Sequence, residues 1–317
     1  MKIVIPGGSG HVGQLLARAF LNDGHDVVIL TRQLASVGAG RPVLWDARTL
    51  GNWTAELEDA DVVINLAGQS VNCRYTARNR EEITRSRVDS TKAIGLAIAR
   101  AQRPPRLWLQ AGTATIYAHR YDAAHDEASG VLGGNEEDVP ETWRFSIDVA
   151  KAWERAFNDA PPAPLTRKLL LRSALILSPE RGGIFDVLLG LVRHGLGGRA
   201  GDGRQYVSWI HGADFMRTIY WLIAHENLEG VVNLASPNPL PNAEFMRVLR
   251  EAWGTRVGLP ASKWMLEIGT FLMRTETELV LKSRRVIPGR LLQDGFEFMF
   301  PDWKSAARDL CRRWRLM

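Results

Sequence analysis

Three glycines at every third position, Gly7, Gly10 and Gly13 in the run GGSGHVG, are the first residues here whose type and spacing could do chemistry. Glycine lets a backbone turn sharply and lets its N–H groups approach an anion without a side chain intervening. The run follows the apolar segment KIVIP and opens the amphipathic stretch HVGQLLARAFLNDG, so a pyrophosphate held there would lie at a helix N-terminus. Gly7, Gly8, Ser9, Gly10, His11, Val12 and Gly13 are therefore the expected cradle of a dinucleotide. The next strand-like run, HDVVILT, ends at Thr31 and Arg32. An acidic residue at that place would bond a free ribose 2′-hydroxyl and repel a 2′-phosphate, whereas a guanidinium matches phosphate in a two-pronged fashion. The expected cofactor is NADP(H) rather than NAD(H), with Thr31 and Arg32 at the 2′-phosphate; an Arg32 turned to solvent is the plain alternative.

These residues need a frame. Apolar runs alternate with helix-like stretches through the first half: KIVIP, HVGQLLARAFLNDG, HDVVILT, PVLW, DVVINLAG, a long stretch from about Thr76 to Gln102, then RLWLQAG. Such alternation predicts an α/β fold, a doubly wound parallel sheet with crossover helices on both faces. Pro161, Pro162 and Pro164 mark a turn before the strand LTRKLLLRSALIL. The expected division is a Rossmann domain over 1–178, to which part of 206–235 returns, and a smaller α/β substrate domain over 179–317. Ligands of such sheets bind at the carboxyl edge, under that second domain.

Composition narrows the function classes. The chain has 317 residues, 45% of them hydrophobic, which is ample for a sizeable core. No run of about 18 uncharged apolar residues occurs, and the N-terminus reads as a strand rather than a leader. A soluble, cytoplasmic, unprocessed protein without a membrane partner is expected. Cys73 and Cys311 are the two cysteines, which implies neither a disulfide framework nor a Cys-based metal site. The net charge of +5 comes from scattered arginines with no nucleic-acid motif, so no nucleic-acid partner is expected and part of the charge is assigned to an anionic cofactor. No His, Asp and Glu cluster has metal-ligand spacing.

GGSGHVG, VINLAG (Val63 to Gly68) and GTATIYA (Gly112 to Ala118) together resemble the extended short-chain dehydrogenase/reductases of the NAD-dependent epimerase/dehydratase family. NCRYT, SRVDST, RSALILSPERGG, GDGRQYVSWIHGADF, VVNLASPNPLPNAEF and VIPGRLLQDGFEFMFP extend the likeness over essentially the whole chain. They resemble a branch called epimerase family proteins, which carries its own C-terminal domain of unknown function. The resemblance implies that Asp46 lies near the adenine amino group, a turn residue being the alternative. It implies that Asn65, Leu66, Ala67 and Gly68 pass under the adenosine ribose. Thr113 falls on the family's catalytic Ser or Thr, and Gln205, Trp209 and His211 fall where relatives line the substrate pocket or brace its lid. A homodimer is a family-level expectation.

The family's catalytic Tyr, with a Lys four positions on, is missing. The tyrosines are Tyr75, Tyr117, Tyr121, Tyr206 and Tyr220, and four residues on stand Asn79, Tyr121, His125, Ile210 and Ala224. The helix that should carry the pair contains FSIDVAKAWE, where either Ser146 and Ala150 or Phe145 and Val149 replace it; the first register is preferred. At about 100° per residue, Lys151 lies about 140° round the helix from Ser146 and is expected on the solvent side. Trp153 shares the face of Ser146, where core packing is expected. Arg74 is a candidate for a substrate carboxylate or phosphate, or a surface arginine. Tyr117 is a candidate proton donor if its ring turns to the cleft, and otherwise packs beneath the loop. His211 and Asp214 form an acid/base pair or, preferably, a structural hydrogen bond. Two functions follow. One is an NADP(H)-dependent oxidoreductase or epimerase on a small polar substrate, with Thr113 orienting it. The other is a non-catalytic NADP(H)-sensing regulatory protein.

Overall fold

A computed structural model describes residues 1–137, 139–261 and 278–317. Seven parallel strands form the central sheet: β1 (Lys2–Pro6), β2 (Asp26–Thr31), β3 (Arg41–Leu44), β4 (Val62–Asn65), β5 (Leu107–Thr113), β6 (Arg167–Ser173) and β10 (Gly230–Leu234). Their order across the sheet is β10-β6-β5-β4-β1-β2-β3. The order reverses at β1, which pairs with β2 on one side and β4 on the other, Ile3 standing opposite both Val27 and Val62. That reversal opens the crevice at the carboxyl edge in which such sheets bind ligands.

The strands read as unbroken apolar runs because helices cover both faces, and alternate residues feed two separate cores. Ile3, Ile5, Val27, Ile29, Val62, Ile64, Leu107 and Leu109 pack with Leu16, Ala17 and Phe20 of α1 (His11–Asn22) and with Phe215, Ile219 and Leu222 of α5 (Gly212–Ala224). Val4, Val28, Leu30, Val63, Trp108 and Leu170 pack on the other face. Their partners are Ala93, Ile94, Ala97 and Ile98 of α2 (Ala77–Arg100) and Phe157 of α3 (Glu141–Asn158). At about 25 cal/mol per Å² of apolar surface removed from water, these two layers supply most of what holds the sheet rigid.

A third core lies beyond β6. Helices α4 (Ile184–Arg193) and α6 (Asn242–Trp253) and the last helix, Trp303–Arg315, enclose Phe185, Leu189, Trp209, Phe245, Leu249, Trp303, Leu310 and Trp314. Two short strand pairs join this unit to the sheet: β7 (Leu175–Leu177) with β9 (Trp209–His211), and β8 (Tyr206–Val207) with β11 (Leu240–Pro241). Among the described residues, no helix is long and apolar enough to cross a membrane. Cys311 is buried in the third core and Cys73 is half-buried; neither forms a disulfide.

Candidate functional site

The glycine turn is built by close contact. Gly7 has φ +74°, and a Cβ there would come within 2.6 Å of the Ala67 Cα, so the turn lies flat against the backbone that leaves β4. A Cβ on Gly13 would meet the Gly8 Cα at 2.4 Å, which fixes how closely α1 approaches β1. A Cβ on Gly10, by contrast, would meet no atom nearer than 3.7 Å, so the space in front of the helix start is open. Gly10 is the N-cap of α1, and the first-turn amides of His11, Val12 and Gly13 have no carbonyl one turn earlier to bond. The result is a cradle of backbone donors with a partial positive charge, which fits a pyrophosphate. Val12 packs on the sheet core, and the Gln14 side chain ties the turn to the next crossover by bonding the Gly8 carbonyl at 2.9 Å and accepting from Ala39 N–H at 2.8 Å.

The flanking residues behave in different ways. Thr31 is buried at the end of β2, where its hydroxyl donates to Ser9 Oγ at 3.4 Å and to the Gln33 carbonyl at 3.2 Å. Arg32 is exposed one residue beyond the end of β2. Asn65 is buried, donating to Gln110 Oε1 at 2.9 Å and accepting from Ala67 N–H at 3.1 Å, and so sets the course of Leu66, Ala67 and Gly68 beneath the turn. Asp46 is a turn residue: one carboxylate oxygen accepts from the amides of Arg48 and Thr49 at 2.8 and 2.9 Å, the other from the Thr49 hydroxyl at 2.6 Å. Of the two expectations for Asp46, the structure displays the turn.

At the end of β5, Thr113 is half-buried and its Oγ1 accepts from Thr115 N–H at 3.2 Å, capping the 3-10 turn Ala114–Ile116. Ala150 packs in a small cluster with Ala114 and Ile116 of that turn, whereas Phe145 and Val149 pack with Tyr75 and Ile83. Ser146 and Ala150 therefore occupy the face turned to Thr113. Lys151 is half-buried instead of lying on the solvent side, because the loop through Gly134 folds over that part of α3; a Cβ on Gly134 would come 3.4 Å from its Nζ. Trp153 is a packing residue whose indole N–H donates to Thr91 Oγ1 at 3.1 Å.

The corner beside Thr113 is completed by groups from distant segments. Residues 283–287 thread between β8–β9 and the loop that follows the 3-10 turn, through Ser283 N–H to His119 Nδ1 at 2.9 Å, Arg284 N–H to Tyr206 O at 2.9 Å and Ile287 N–H to His125 O at 2.9 Å. This threading carries Lys282 and Arg284 onto Thr115: the ammonium donates to the Thr115 carbonyl at 2.6 Å and the guanidinium to its hydroxyl at 3.2 Å. Glu278 lies 3.5 Å from Arg284 through Oε1 and accepts the Ser146 hydroxyl proton on Oε2. Tyr75, from the loop between β4 and α2, brings its hydroxyl to 3.4 Å from Ser146 Oγ. Burial and the neighbouring Arg284 bring the Lys282 ammonium down to about 8, against the opposing pull of Glu278 and Glu136. Tyr75, Ser146, Glu278, Lys282 and Arg284 are the cluster that sequence patterns did not assemble; the NCRYT run was the one visible signal of it.

Three expected site residues lie elsewhere. Tyr117 is 2% exposed, its hydroxyl donating to Asn233 Oδ1 at 2.9 Å and accepting from Arg172 at 3.0 Å, so it is not a proton donor to the cleft. Burial raises its phenol above the ordinary tyrosine value, with Arg172 opposing. Trp209 is fully buried in the third core against Trp303, at 5.1 Å between ring centres, and lines no substrate pocket. Gln205 is buried too, its amide donating to the Ala200 and Val280 carbonyls at 2.9 and 3.2 Å. Both hold the C-terminal unit together. His211 and Asp214 do not bond each other: His211 Nδ1 accepts from Ala213 N–H at 3.0 Å and Nε2 lies 3.3 Å from Asp309, while Asp214 accepts from the amides of Met299 and Phe300 at 2.8 and 2.9 Å. Burial brings His211 down to about 4 despite Asp309, so it is a neutral structural residue. Arg74 is half-buried in the Tyr75 loop, where its carbonyl accepts from Asn79 Nδ2 at 2.7 Å.

A glycine cradle at the reversal of a parallel sheet, with Thr113 at the end of the neighbouring strand, defines a short-chain dehydrogenase/reductase-like protein. The chain belongs to the NAD dependent epimerase/dehydratase family, whose pattern matches residues 3–235, and a domain of unknown function (DUF1731) matches 261–310. It is similar to the human epimerase family protein SDR39U1, 28% identical over 313 residues that cover 98% of this chain and 99% of that one. It is also similar to the epimerase family protein YfhF of Bacillus subtilis, 26% identical over 317 residues that cover 98% of each. A crystal structure of human SDR39U1 (isoform 2) with NADPH superposes with a TM-score of 0.85 at 28% identity, covering 98% of this chain and 99% of that one. A nucleoside-diphosphate sugar epimerase from Corynebacterium glutamicum superposes with a TM-score of 0.75 at 27% identity, over 98% of this chain and 58% of the other.

Proposed function

We propose that this chain binds NADP(H) in the Gly7–Gly13 cradle and is an oxidoreductase acting on a small polar carbonyl or alcohol. The observation that carries the reading is the open space over Gly10 before the first-turn amides of α1, with the exposed Arg32 at the end of β2 where an acidic residue would select NAD(H). The human relative solved with NADPH supports the choice of cofactor. When bound, the dinucleotide supplies or takes up a hydride. Residues of the chain supply the rest: Thr113 holds the reacting oxygen through its hydroxyl, Arg32 pairs with the 2′-phosphate, and Arg74, a member of the Tyr75 loop, meets an anionic group of the substrate.

Titrating NADPH and NADH into the wild type and Arg32→Ala tests the reading. Charge-assisted hydrogen bonds contribute about 1.5–3 kcal/mol. At about 1.4 kcal/mol per factor of ten, the wild type should prefer NADPH by about tenfold or more and the variant should lose that preference. Equal wild-type affinities for the two would overturn the cofactor assignment. Tight NADPH binding without turnover of any carbonyl would favour the non-catalytic, NADP(H)-sensing function.

A further inference from the structure

We infer that the surface formed by the outer side of α4 and by residues 194–199 and 256–260 lies against an anionic lipid bilayer. Four large apolar side chains there, Val187, Leu196, Val257 and Leu259, are 52% to 60% exposed, and Ile184 at the start of α4 is 40% exposed. Ile184, Val187, Leu188 and Leu191 stand at the spacing of one helix face, whereas Phe185, Leu189 and Val192 fill the third core from another. Helix α4 thus carries apolar residues on two sides and turns one of them outward. Clustered exposure of this kind marks an interaction surface.

The patch is continuous and firmly supported. Beyond α4 the chain turns back, with Leu196 N–H donating to the Leu191 carbonyl at 2.8 Å, and then runs beside 257–261. Leu259 N–H donates to the Gly195 carbonyl at 2.8 Å, Gly198 N–H to the Leu259 carbonyl at 3.2 Å, and Ala261 N–H to the Arg199 carbonyl at 2.9 Å. A Cβ on Gly198 would lie 2.4 Å from the Leu259 carbonyl oxygen, so the two backbones touch. Arg250 of α6 adds a further tie by donating to the Gly197 carbonyl at 2.6 Å. The apolar tips therefore meet a partner without first having to be ordered.

Charge decides what that partner is. Residues 187–201 and 254–261 include Arg193, Arg199 and Arg256, all exposed, and no acidic residue. The acids at their borders are engaged: Glu251 pairs with Arg247, and Asp202 accepts from Arg204 N–H at 3.0 Å. Arg193 leans toward the last helix, its guanidinium carbon 4.6 Å from the centre of the Trp314 ring, which leaves Arg199 and Arg256 as the principal charges among the apolar tips. A second copy seated on the patch would press like charges together with no acid to meet them. A nucleic-acid backbone would answer the arginines and leave the apolar side chains unanswered. Apolar side chains standing out between arginines enter a headgroup layer, the tips reaching the acyl boundary while the guanidinium groups pair with phosphate. An absent spanning run speaks only against crossing a bilayer; lying on one needs a patch. Neither the glycine cradle nor Thr113 takes part, so the inference stands or falls apart from the cofactor.

Co-sedimentation of the full chain with vesicles tests this, using phosphatidylcholine alone and phosphatidylcholine mixed with phosphatidylglycerol, and Val187→Asp, Leu259→Asp and Arg256→Glu beside the wild type. The wild type should bind the mixed vesicles about tenfold more tightly than phosphatidylcholine, and added salt should weaken that binding. One charge near such a surface changes affinity by about fivefold, and Arg256→Glu changes the local charge by two, so its loss should be about tenfold or more. Val187→Asp and Leu259→Asp remove an inserted tip and add a repelled charge, and should lose about as much. All three positions are exposed, so melting curves should match the wild type; if one variant melts early, the other two decide. Binding indifferent to phosphatidylglycerol, no binding to either vesicle, or equal binding by all four proteins overturns the inference. A wild type that dimerises in light scattering without binding vesicles, alongside variants that stay monomeric, overturns it in favour of a second copy.

Discussion

Helix α3 carries two constellations made of almost the same residue types. At its start, Ser146 joins Tyr75, Glu278 and Arg284; two turns on, Glu154 joins Tyr117, Arg172 and Asn233. In the second group Arg172 grips Glu154 with two nitrogens at 2.8 and 2.7 Å and gives a third to Tyr117, which passes its proton to Asn233. Asn233 in turn donates to the Ile287 carbonyl at 3.0 Å. That set is closed, held by β6, β10 and α3, and it locks the sheet to the segment that follows Arg284. The first set is built from a loop, a helix start and the segment around Glu278, and it borders Thr113. Residue type does not separate the two; what separates them is that the second group is drawn from packed strands and a helix, the first from a loop, a helix start and a late segment.

The sharpest way to break this contrast is to open the closed set. Glu154→Ala leaves the Arg172 guanidinium, 7% exposed, without its carboxylate and should cost about 3–5 kcal/mol of stability, read by urea denaturation. A loss under about 1 kcal/mol would show that the set is not structural. His211 extends the interior class. Its folded value of about 4 lies below the ordinary 6.5, so the fold favours the neutral ring. That stability is fully present above pH 6.5 and is lost as pH falls toward 4, amounting to about 3 kcal/mol. His211→Asn keeps a side-chain acceptor at the N-cap of α5 and should flatten that pH dependence in denaturation curves measured between pH 7 and 4. An unchanged slope would remove His211 as its source.

The same contrast governs what the sequence could reveal. Gly13 was legible because backbone five residues earlier crowds it, and Gly7 because the chain turns there at φ +74°, so only glycine fits at either place. The parallel sheet was legible because strands covered on both faces are written as apolar runs. Trp209 and Gln205 misled, since a family pattern places them near a pocket while a three-residue strand buried on every side gives no sign of which face meets solvent. The Ser146–Glu278 contact joins residues 132 positions apart. No local spacing encodes such a pair; it exists because 283–287 thread beside His119 and His125. Asp46 illustrates the intermediate case, where an Asx turn and a ligand contact call for the same residue.

The finest discrimination is between two single hydroxyls. Tyr117→Phe removes a donor to Asn233 and an acceptor for Arg172 inside a dry network, and a buried polar group left unpaired costs about 1–3 kcal/mol. Tyr75→Phe removes a contact of 3.4 Å to Ser146, too long for a strong bond, and should cost less than about 1 kcal/mol. Paired melting curves on the two variants read the difference. Equal losses of stability would mean that closure of the network does not decide what a tyrosine hydroxyl contributes to the fold.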